Sequence, residues 1–259
     1  MSLDNGYVPI EYLKKAAELV RDLKRLSYEH MAITAGATVL DIGCGPGVDT
    51  VELAQRVGDD GKVIGIDTDE AMLAEAEKVC RGQPGKAQIE HRLGSALDLP
   101  LADNLADACR AERLLQVLPP DAEQVVLREM VRVTRPGGRV VLVDADWGSA
   151  GVDFSDPELE RRLMGFFALQ MRPNGFAGRR LYSLCREQQL EDIRIDVVPV
   201  VQHRFDDTPF GDWLCNTATA EDIMDASQAQ RWQQELRQRE AQQRFHACVN
   251  MVIVSGRKT

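Results

Sequence analysis

The chain has 259 residues, 44% of them hydrophobic, a length and an apolar content that suit one large domain with a single core. Its formal net charge of −10 disfavours a nucleic acid or an anionic membrane as partner, because a phosphate surface would be repelled, and favours a small molecule. The six cysteines lie far apart with no C-x-x-C pair, which predicts reduced thiols in a cytoplasmic protein without a metal site. We expect a monomer or a homodimer.

The first predicted element is a helix. The N-terminal sequence shows no apolar segment of the kind that signal peptides carry, and no run in the chain approaches the length needed to cross a bilayer. From Ile10 to His30 apolar residues recur with helical spacing, so we interpret residues 1–34 as a helical cap ahead of the main domain. Three tyrosines of this segment could place hydroxyls over a site or simply pack, namely Tyr7, Tyr12 and Tyr28.

Strands and helices then alternate as far as residue 144. At this spacing they predict an α/β fold with a mostly parallel sheet that helices cover on both faces. The predicted strands are 37–42, 62–66, 87–93, 105–110 and 139–144, and the predicted helices are 49–57, 69–80 and 122–134.

The pattern changes after Asp146. Residues 147–178 hold Gly, Pro and paired aromatics around one predicted helix, 157–171, and are too long for an ordinary connection. We interpret them as a lid insertion over the carboxyl edge of the sheet, with a dimer contact as the alternative. A second helical insertion is predicted at about 203–245, so that the main domain spans 35–259. The other predicted elements are a helix at 181–189 and strands at 193–202 and 246–257.

Two loops of the first βαβ unit carry the candidate ligand site. The stretch VLDIGCGPGVDT, 39–50, places Gly43, Gly45 and Gly47 between a predicted strand and a predicted helix, where the backbone can approach a ligand closely. Asp67 ends the second strand, and a carboxylate there can accept both hydroxyls of a ribose. Either feature alone could serve only a turn or a helix cap, but the two together favour an adenosine-containing ligand.

The glycine loop departs from dinucleotide and phosphate motifs. A dinucleotide fingerprint, G-x-G-x-x-G, needs its third glycine at position 48, which is Val48, and a Walker loop needs Gly-Lys-Ser or Gly-Lys-Thr, which is absent. Asp41 before the glycines suits an amino or cationic group better than a pyrophosphate. A nucleotide-dependent oxidoreductase is therefore the weaker alternative.

These motifs resemble those of class I S-adenosylmethionine-dependent methyltransferases. VLDIGCGPG at 39–47 and IGIDTDEAML at 64–73 have the form of the first two family motifs, and the likeness continues through LDLP at 97–100, RLLQVLP at 113–119 and 130–144. It covers roughly residues 35–147. In its overall pattern of motifs the sequence is similar to the ubiquinone/menaquinone-biosynthesis-type and other small-molecule methyltransferases.

The resemblance implies a fold and an activity. The implied fold is a Rossmann-like, seven-stranded, mostly parallel sheet with helices on both faces, helical lid insertions and an antiparallel last strand at 246–257. The implied activity transfers a methyl group from S-adenosyl-L-methionine to a small organic acceptor, such as a secondary metabolite or a quinone-like compound. A non-catalytic, cofactor-binding regulatory protein of the same fold stays open, since Val117 stands where many relatives carry His.

The resemblance also implies a cofactor site built from the ends of the first four strands. The methionine part would lie at the glycine loop, the ribose at Asp67 and the adenine beyond it. Ser95 stands where the family often has an acid that contacts the adenine amino group. The implied cofactor-binding residues are Asp41, Gly43, Gly45, Gly47, Asp67, Thr68, Met72, Ser95, Ala96 and Arg110.

Candidates for catalysis and acceptor binding follow the later strands. Methyl transfer is an in-line displacement, so orientation can provide most of the acceleration, and a base is needed only if the acceptor must lose a proton. The catalytic candidates are Asp146 and Glu112, with Asp144 and His203 as further possible bases. The acceptor-binding candidates are Tyr28, Trp147, Arg172 and Asn174.

Overall fold

Alternating helices and strands make up the first half of the chain, as the sequence predicts. The computed structural model describes residues 20–81 and 87–259. The predicted first helix is seen from Arg21 onwards, and its earlier part, with Tyr7 and Tyr12, lies outside the described residues. The elements of this half are α1 (Arg21–His30), β1 (Thr38–Ile42), α2 (Val48–Val57), β2 (Lys62–Asp67), α3 (Glu70–Arg81), β3 (Gln88–Leu93), β4 (Ala106–Glu112) and α4 (Glu123–Val133).

The second half differs from the prediction in two places. The fifth strand continues well past residue 144, because Gly151 and Val152 pair with Cys248 and Ala247 of the last strand. The helical insertion predicted at about 203–245 contains two separate α-helices, because Asp225 caps a new helix through a capping box. The elements of this half are β5 (Thr134–Val152), α5 (Pro157–Gln170), α6 (Ala177–Glu187), β6 (Glu191–Gln202), α7 (Asp212–Ala220), α8 (Ala226–Ala241) and β7 (Ala247–Arg257).

Seven strands of the described ranges form one sheet in the order β3-β2-β1-β4-β5-β7-β6. The pairs β1–β2, β2–β3, β1–β4 and β4–β5 are parallel, whereas β7 is antiparallel to both β5 and β6. The mostly parallel sheet with an antiparallel last strand is thus confirmed. Because the order reverses at β1, a crevice opens beyond the carboxyl ends of β1 and β4, where ligands of such sheets bind.

Helices cover both faces of this sheet. Successive residues of a strand point to opposite faces, and in β1 Val39 packs in a cluster with Leu53 of α2, whereas Leu40 packs in a cluster with Leu127 of α4. Within the described ranges no helix combines the length and apolarity that a bilayer crossing requires.

The helices after β5 form a further apolar cluster beside the sheet. Phe167 of α5 lies 5.3 Å from Phe210 between ring centroids, and Phe154 lies 4.6 Å from Trp232 of α8. Trp232 and Phe167 are fully buried. Much of the aromatic content of the lid region therefore forms a core of its own.

Candidate functional site

A cavity of about 500 Å³ lies at the carboxyl ends of β1, β2 and β4. It begins at the adenine end predicted from the sequence, passes the glycine loop, and continues to side chains of β5, β6 and β7. All the predicted cofactor-binding residues line it except Gly47. The structure therefore brings the sequence motifs of four separate strands together around one cavity.

The glycine loop is held against the end of β2 by backbone hydrogen bonds. The amides of Gly43 and Cys44 donate to the carbonyl oxygen of Ile66, at 2.7 and 3.0 Å, and the amide of Gly45 donates to Asp67 Oδ2 at 2.8 Å. Gly45 has a φ of +51°, and a Cβ added there would meet nothing within 4 Å. A glycine at position 45 therefore permits the left-handed backbone conformation, and close packing of neighbouring atoms does not require it.

Gly47 has a different role from the other two glycines. It is the N-cap of α2 with a φ of +76°, and a Cβ added there would lie 2.7 Å from Cβ of Ala76 in α3. Its missing side chain lets the start of α2 approach α3. The family resemblance implies that Gly47 contacts the cofactor, whereas in the structure Gly47 does not line the cavity.

The end of β2 and the loop after β3 form one end of the cavity. The Asp67 carboxylate accepts from the amides of Gly45 and Asp69, the latter at 3.0 Å, and each of its oxygens has a second lone pair that can accept a further hydrogen bond. The Ser95 hydroxyl accepts from the amide of Leu97 at 3.1 Å. Four further predicted residues give this end a mixed polar and apolar surface: Thr68, Met72, Ser95 and Ala96.

Beneath the other end of the glycine loop lies a charge cluster, which we define as Lys24, Asp41, Asp49, Arg110 and Glu112. Lys24 Nζ lies 2.5 Å from Asp49 Oδ2 and 3.0 Å from Glu112 Oε1. Arg110 contacts Glu112 and lies 3.3 Å from Asp41 Oδ1, while its Nε donates to Ser27 Oγ at 3.0 Å. All five side chains line the cavity and are almost completely buried.

The carboxylates of the charge cluster are held in unequal states. Burial, together with the charge of Asp49, raises the pKa of Asp41 to about 7 against the opposing effect of Arg110 and Lys24. Burial would also raise the pKa of Asp49 and of Glu112, but Lys24 and Arg110 outweigh it and hold both pKa values below their usual range. Glu112 is therefore a weak base, although it does line the cavity.

One carboxylate oxygen of the charge cluster is suited to accept a hydrogen bond from the amino group of a cofactor. Asp41 Oδ2 is buried and has no hydrogen-bond donor among the described residues. A buried acceptor of this kind is costly unless a ligand supplies the donor. The methionine end of S-adenosylmethionine carries an ammonium group, so the donor set at Asp41 fits this cofactor.

Lys24 and Asp49 were not among the predicted site residues. Lys24 and Ser27 of α1 lie on the same helical face as the buried Leu23 and Tyr28. Polar residues at apolar positions of an amphipathic helix are the signal that could have found them. Asp49, the second residue of α2, offered only its proximity to the glycine loop.

The other candidate bases do not line the cavity. The Asp144 carboxylate accepts from the amides of Leu115 and Gln116, at 2.8 and 3.2 Å, and so holds the 3₁₀ turn Leu115–Val117. Asp146 accepts from Arg179 Nε at 2.8 Å, and the exposed His203 faces the carbonyl oxygen of Phe245. Ala145 and Trp147, which alternate with these aspartates along β5, line the cavity instead.

Two of the four acceptor-binding candidates line the far part of the cavity. Trp147 Nε1 donates to Gln116 Oε1 at 2.7 Å, which fixes the plane of the indole. The guanidinium carbon of Arg172 lies 4.6 Å from the centre of the Trp147 ring system and 4.7 Å from that of Phe167. An apolar wall faces them, formed by Val200, Val249 and Met251 of β6 and β7.

The other two candidates lie behind the cavity. Asn174 Nδ2 donates to the carbonyl oxygen of Leu115 at 3.1 Å and to Glu123 Oε1 at 2.5 Å, and its side-chain oxygen accepts from Arg180. The Tyr28 hydroxyl donates to Asp49 and thereby supports the charge cluster from α1. Neither side chain reaches the space that an acceptor would occupy.

Comparison with known proteins links this site to methyl transfer. A family model described as a methyltransferase domain matches residues 39–138. An uncharacterised 37.1 kDa transposon protein from Streptomyces fradiae is 31% identical over 258 residues, 96% of this chain and 71% of that protein. Demethylmenaquinone methyltransferase from Desulfitobacterium hafniense is 43% identical over 109 residues, 42% of either chain, so this match spans less than half of that enzyme.

A solved structure shares the whole fold. The YcgJ protein from Bacillus subtilis superposes with a TM-score of 0.59 at 18% sequence identity, covering 91% of this chain and 97% of its own. At this identity the likeness concerns the architecture alone.

Proposed function

Because this chain belongs to the class I S-adenosylmethionine-dependent methyltransferases, we propose that it methylates a small organic acceptor of quinone-like or secondary-metabolite type. The observation that carries this proposal is the continuity of the cavity. It runs from the predicted ribose and adenine end at Asp67, past the charge cluster, to the apolar wall beside Trp147. Beyond the charge cluster the cavity combines an apolar wall with a few polar side chains, which is typical of sites for organic ligands.

The residues at the cofactor end of the cavity have the chemistry that binding of S-adenosylmethionine requires. Asp67 would accept the ribose hydroxyls, and Asp41 would accept the ammonium group through its unpartnered oxygen. Met72 and Ala96 would flank the adenine. When bound, the cofactor supplies a methyl group on a positively charged sulfur.

The acceptor end supports catalysis by orientation. Gln116 fixes Trp147, and Asp144 in turn fixes the backbone of Gln116, so the wall beside the reaction space is held by two linked hydrogen bonds, one buried and one partly buried. A rigid wall of this kind can hold an acceptor in line with the transferred methyl group. We propose that Glu112, a weak base beside two cations, serves the cofactor site rather than proton removal.

The acceptor class has support from a relative. The relative from Desulfitobacterium hafniense, which is 43% identical over 109 residues, is a demethylmenaquinone methyltransferase. The wall formed by Val200, Val249 and Met251 suits an apolar ring or chain.

We further propose that the protein works in the cytoplasm without a nucleic acid or membrane partner, as a monomer or homodimer. The comparisons give no support to the oxidoreductase or to the non-catalytic regulator.

The experiment that tests this function follows the methyl group. Purified protein is incubated with methyl-labelled S-adenosylmethionine and a panel of quinols, phenols and apolar metabolites, and products are identified by mass spectrometry. Label in an apolar organic product is the expected result, and Asp67→Ala serves as the matched control with weakened cofactor binding. Cofactor binding without label transfer across the panel would favour the non-catalytic protein instead.

A further inference from the structure

The charge cluster contains one more negative group than positive groups. Three carboxylates, Asp41, Asp49 and Glu112, surround two cations, Lys24 and Arg110. Fully ionised, these five nearly buried side chains would carry a net charge of −1. Arg113 adds a positive charge 3.3 Å from Glu112 Oε1, but its side chain is partly exposed, so solvent screens its effect on Asp41. Like charges that share a buried site cannot all ionise freely, so one of the three carboxylates is expected to hold a proton.

The contacts identify which carboxylate holds the proton. Asp49 pairs with Lys24 at 2.5 Å and accepts from the Tyr28 hydroxyl, and Glu112 contacts both cations. Asp41 has one contact within the charge cluster, at 3.3 Å to Arg110, and its Oδ2 has no donor among the described residues. Asp41 is thus the least stabilised as an anion.

The groups around Asp41 come from four parts of the structure, and the neutral ones do not compete for the proton. Burial raises the pKa of Tyr28, Cys44 and Cys109, so the phenol and both thiols keep their own protons near neutrality. The pKa of Asp41, about 7, is consistent with the assignment made from the contacts. The surrounding titratable or charged groups are Lys24 and Tyr28 of α1, Cys44 of the glycine loop, Asp49 of α2, and Cys109, Arg110 and Glu112 of β4.

We propose that this site exchanges a proton for its cofactor: Asp41 is protonated in a large share of free molecules and releases that proton to solvent when a ligand ammonium group pairs with Oδ2. The exchange balances charge, since the arriving ammonium replaces the departing proton in the charge cluster. The inference rests on the proposed function, because it takes the ligand to be an adenosyl amino acid. It adds that binding of this ligand depends on pH.

The size of the effect follows from the titration of one group. A carboxyl of pKa 7 is about one-eleventh ionised at pH 6 and about three-quarters ionised at pH 7.5, so affinity should rise about eightfold over this range. At pH 7 about half a proton per site should be released on binding. The direction is fixed: tighter binding at higher pH.

Titration calorimetry with S-adenosylhomocysteine tests the proposal. This probe carries the same amino-acid end as the cofactor, and measuring in two buffers of different ionisation enthalpy gives the number of protons released. The matched control ligand is 5′-methylthioadenosine, which shares the adenosine and the sulfur but has no ammonium group. We expect proton release and an affinity that rises with pH for the first ligand, and neither for the second.

The variant Asp41→Asn completes the design. It should bind S-adenosylhomocysteine with an affinity that no longer changes between pH 6 and 7.5, and its binding of 5′-methylthioadenosine reports that the site is folded. Binding to the unaltered protein without proton release, or proton release that persists in Asp41→Asn, would overturn this inference alone. Failure of both ligands to bind the unaltered protein would overturn the proposed function as well.

Discussion

Arg110 lies directly opposite Asp41 in the parallel register of β4 and β1, and its guanidinium reaches the Asp41 carboxylate at 3.3 Å. The same guanidinium contacts Glu112, lies over the ring of Tyr28, and is fully buried. One side chain thus ties β1, β4 and α1 together beneath the candidate cofactor site. Its burial means that the charge is integral to the fold.

Replacing Arg110 should be severely destabilising. Arg110→Met leaves three buried carboxylates with Lys24 as their remaining cation within the charge cluster, and losing one partner of a buried ion pair typically costs about 3–5 kcal/mol. The free energy of unfolding in urea measures the effect. The control Arg25→Met removes the half-exposed partner of Glu29, an i,i+4 pair whose loss should cost less than about 1 kcal/mol. Equal effects of the two substitutions would contradict the stabilising role of Arg110.

Two glycines of the same loop should respond differently to alanine. Gly47→Ala combines a left-handed backbone with a Cβ that meets Ala76, and should lose about 2–4 kcal/mol of stability. Gly45→Ala has the backbone strain but open space around its Cβ, and should lose about 1–2 kcal/mol. Thermal unfolding without ligand compares them. A greater loss for Gly45→Ala would show that the packing of α2 on α3 does not require Gly47.

Asp67 should contribute to cofactor affinity through its charge. Asp67→Ala removes the acceptor proposed for the ribose hydroxyls and should weaken binding of S-adenosylmethionine by about 1 to 3 kcal/mol. Asp67→Asn is the matched control, since it keeps one carbonyl acceptor and should lose less. Calorimetry measures both, and an unchanged affinity of Asp67→Ala would refute the ribose assignment.

The stability of the unliganded protein should carry the signature of Asp41. Its pKa in the folded protein, about 7, is above the ordinary value of 3.8, so its contribution is fully present below pH 3.8 and is lost as the pH rises through 7. Asp41→Asn stays neutral throughout. The melting temperature of Asp41→Asn minus that of the unaltered protein should therefore be greater at pH 8 than at pH 5. A difference that stays constant or shrinks toward pH 8 would mean that burial does not raise the pKa of Asp41 in the folded protein.

Asn174 should affect stability and leave cofactor binding unchanged. Asn174→Ala removes one donor from the buried Glu123 carboxylate, which keeps Arg180, and one from the carbonyl oxygen of Leu115, which keeps the amide of Leu118; losing these bonds should cost about 1–3 kcal/mol. Denaturation measures the stability, and binding of S-adenosylhomocysteine to the same variant should keep its affinity. If Asn174→Ala kept full stability, the structural role of Asn174 would be contradicted, and the acceptor-binding role predicted from the sequence would be favoured.

The cofactor half of the site was predictable because its chemistry is local in sequence. The glycine loop and Asp67 follow the first two strands directly, and parallel strands bring their carboxyl ends to one edge. The contribution of α1 was not predictable in this way. Lys24 meets Asp49 and Glu112 only because α1 packs across α2 and β4, a tertiary contact that no local pattern encodes.

Strand periodicity explains why the aspartates near the end of the predicted fifth strand do not line the cavity. The predicted position of Asp144 and Asp146 at the carboxyl edge of the sheet makes them candidate bases. However, β5 continues to Val152, so residues around 146 keep the alternation of a strand. Ala145 and Trp147 therefore point into the cavity and the two aspartates point away. The strand extension depends on pairing with β7, about a hundred residues later, which the local sequence does not reveal.

We expect this cavity to bind an adenosyl amino acid that carries a methylated sulfur. Titration calorimetry of the purified protein with S-adenosylmethionine, S-adenosylhomocysteine and NAD tests it most directly. The predicted result is saturable binding of both sulfur nucleotides at one site per chain, with no heat of binding for NAD. Binding of NAD, with neither sulfur nucleotide bound, would contradict it.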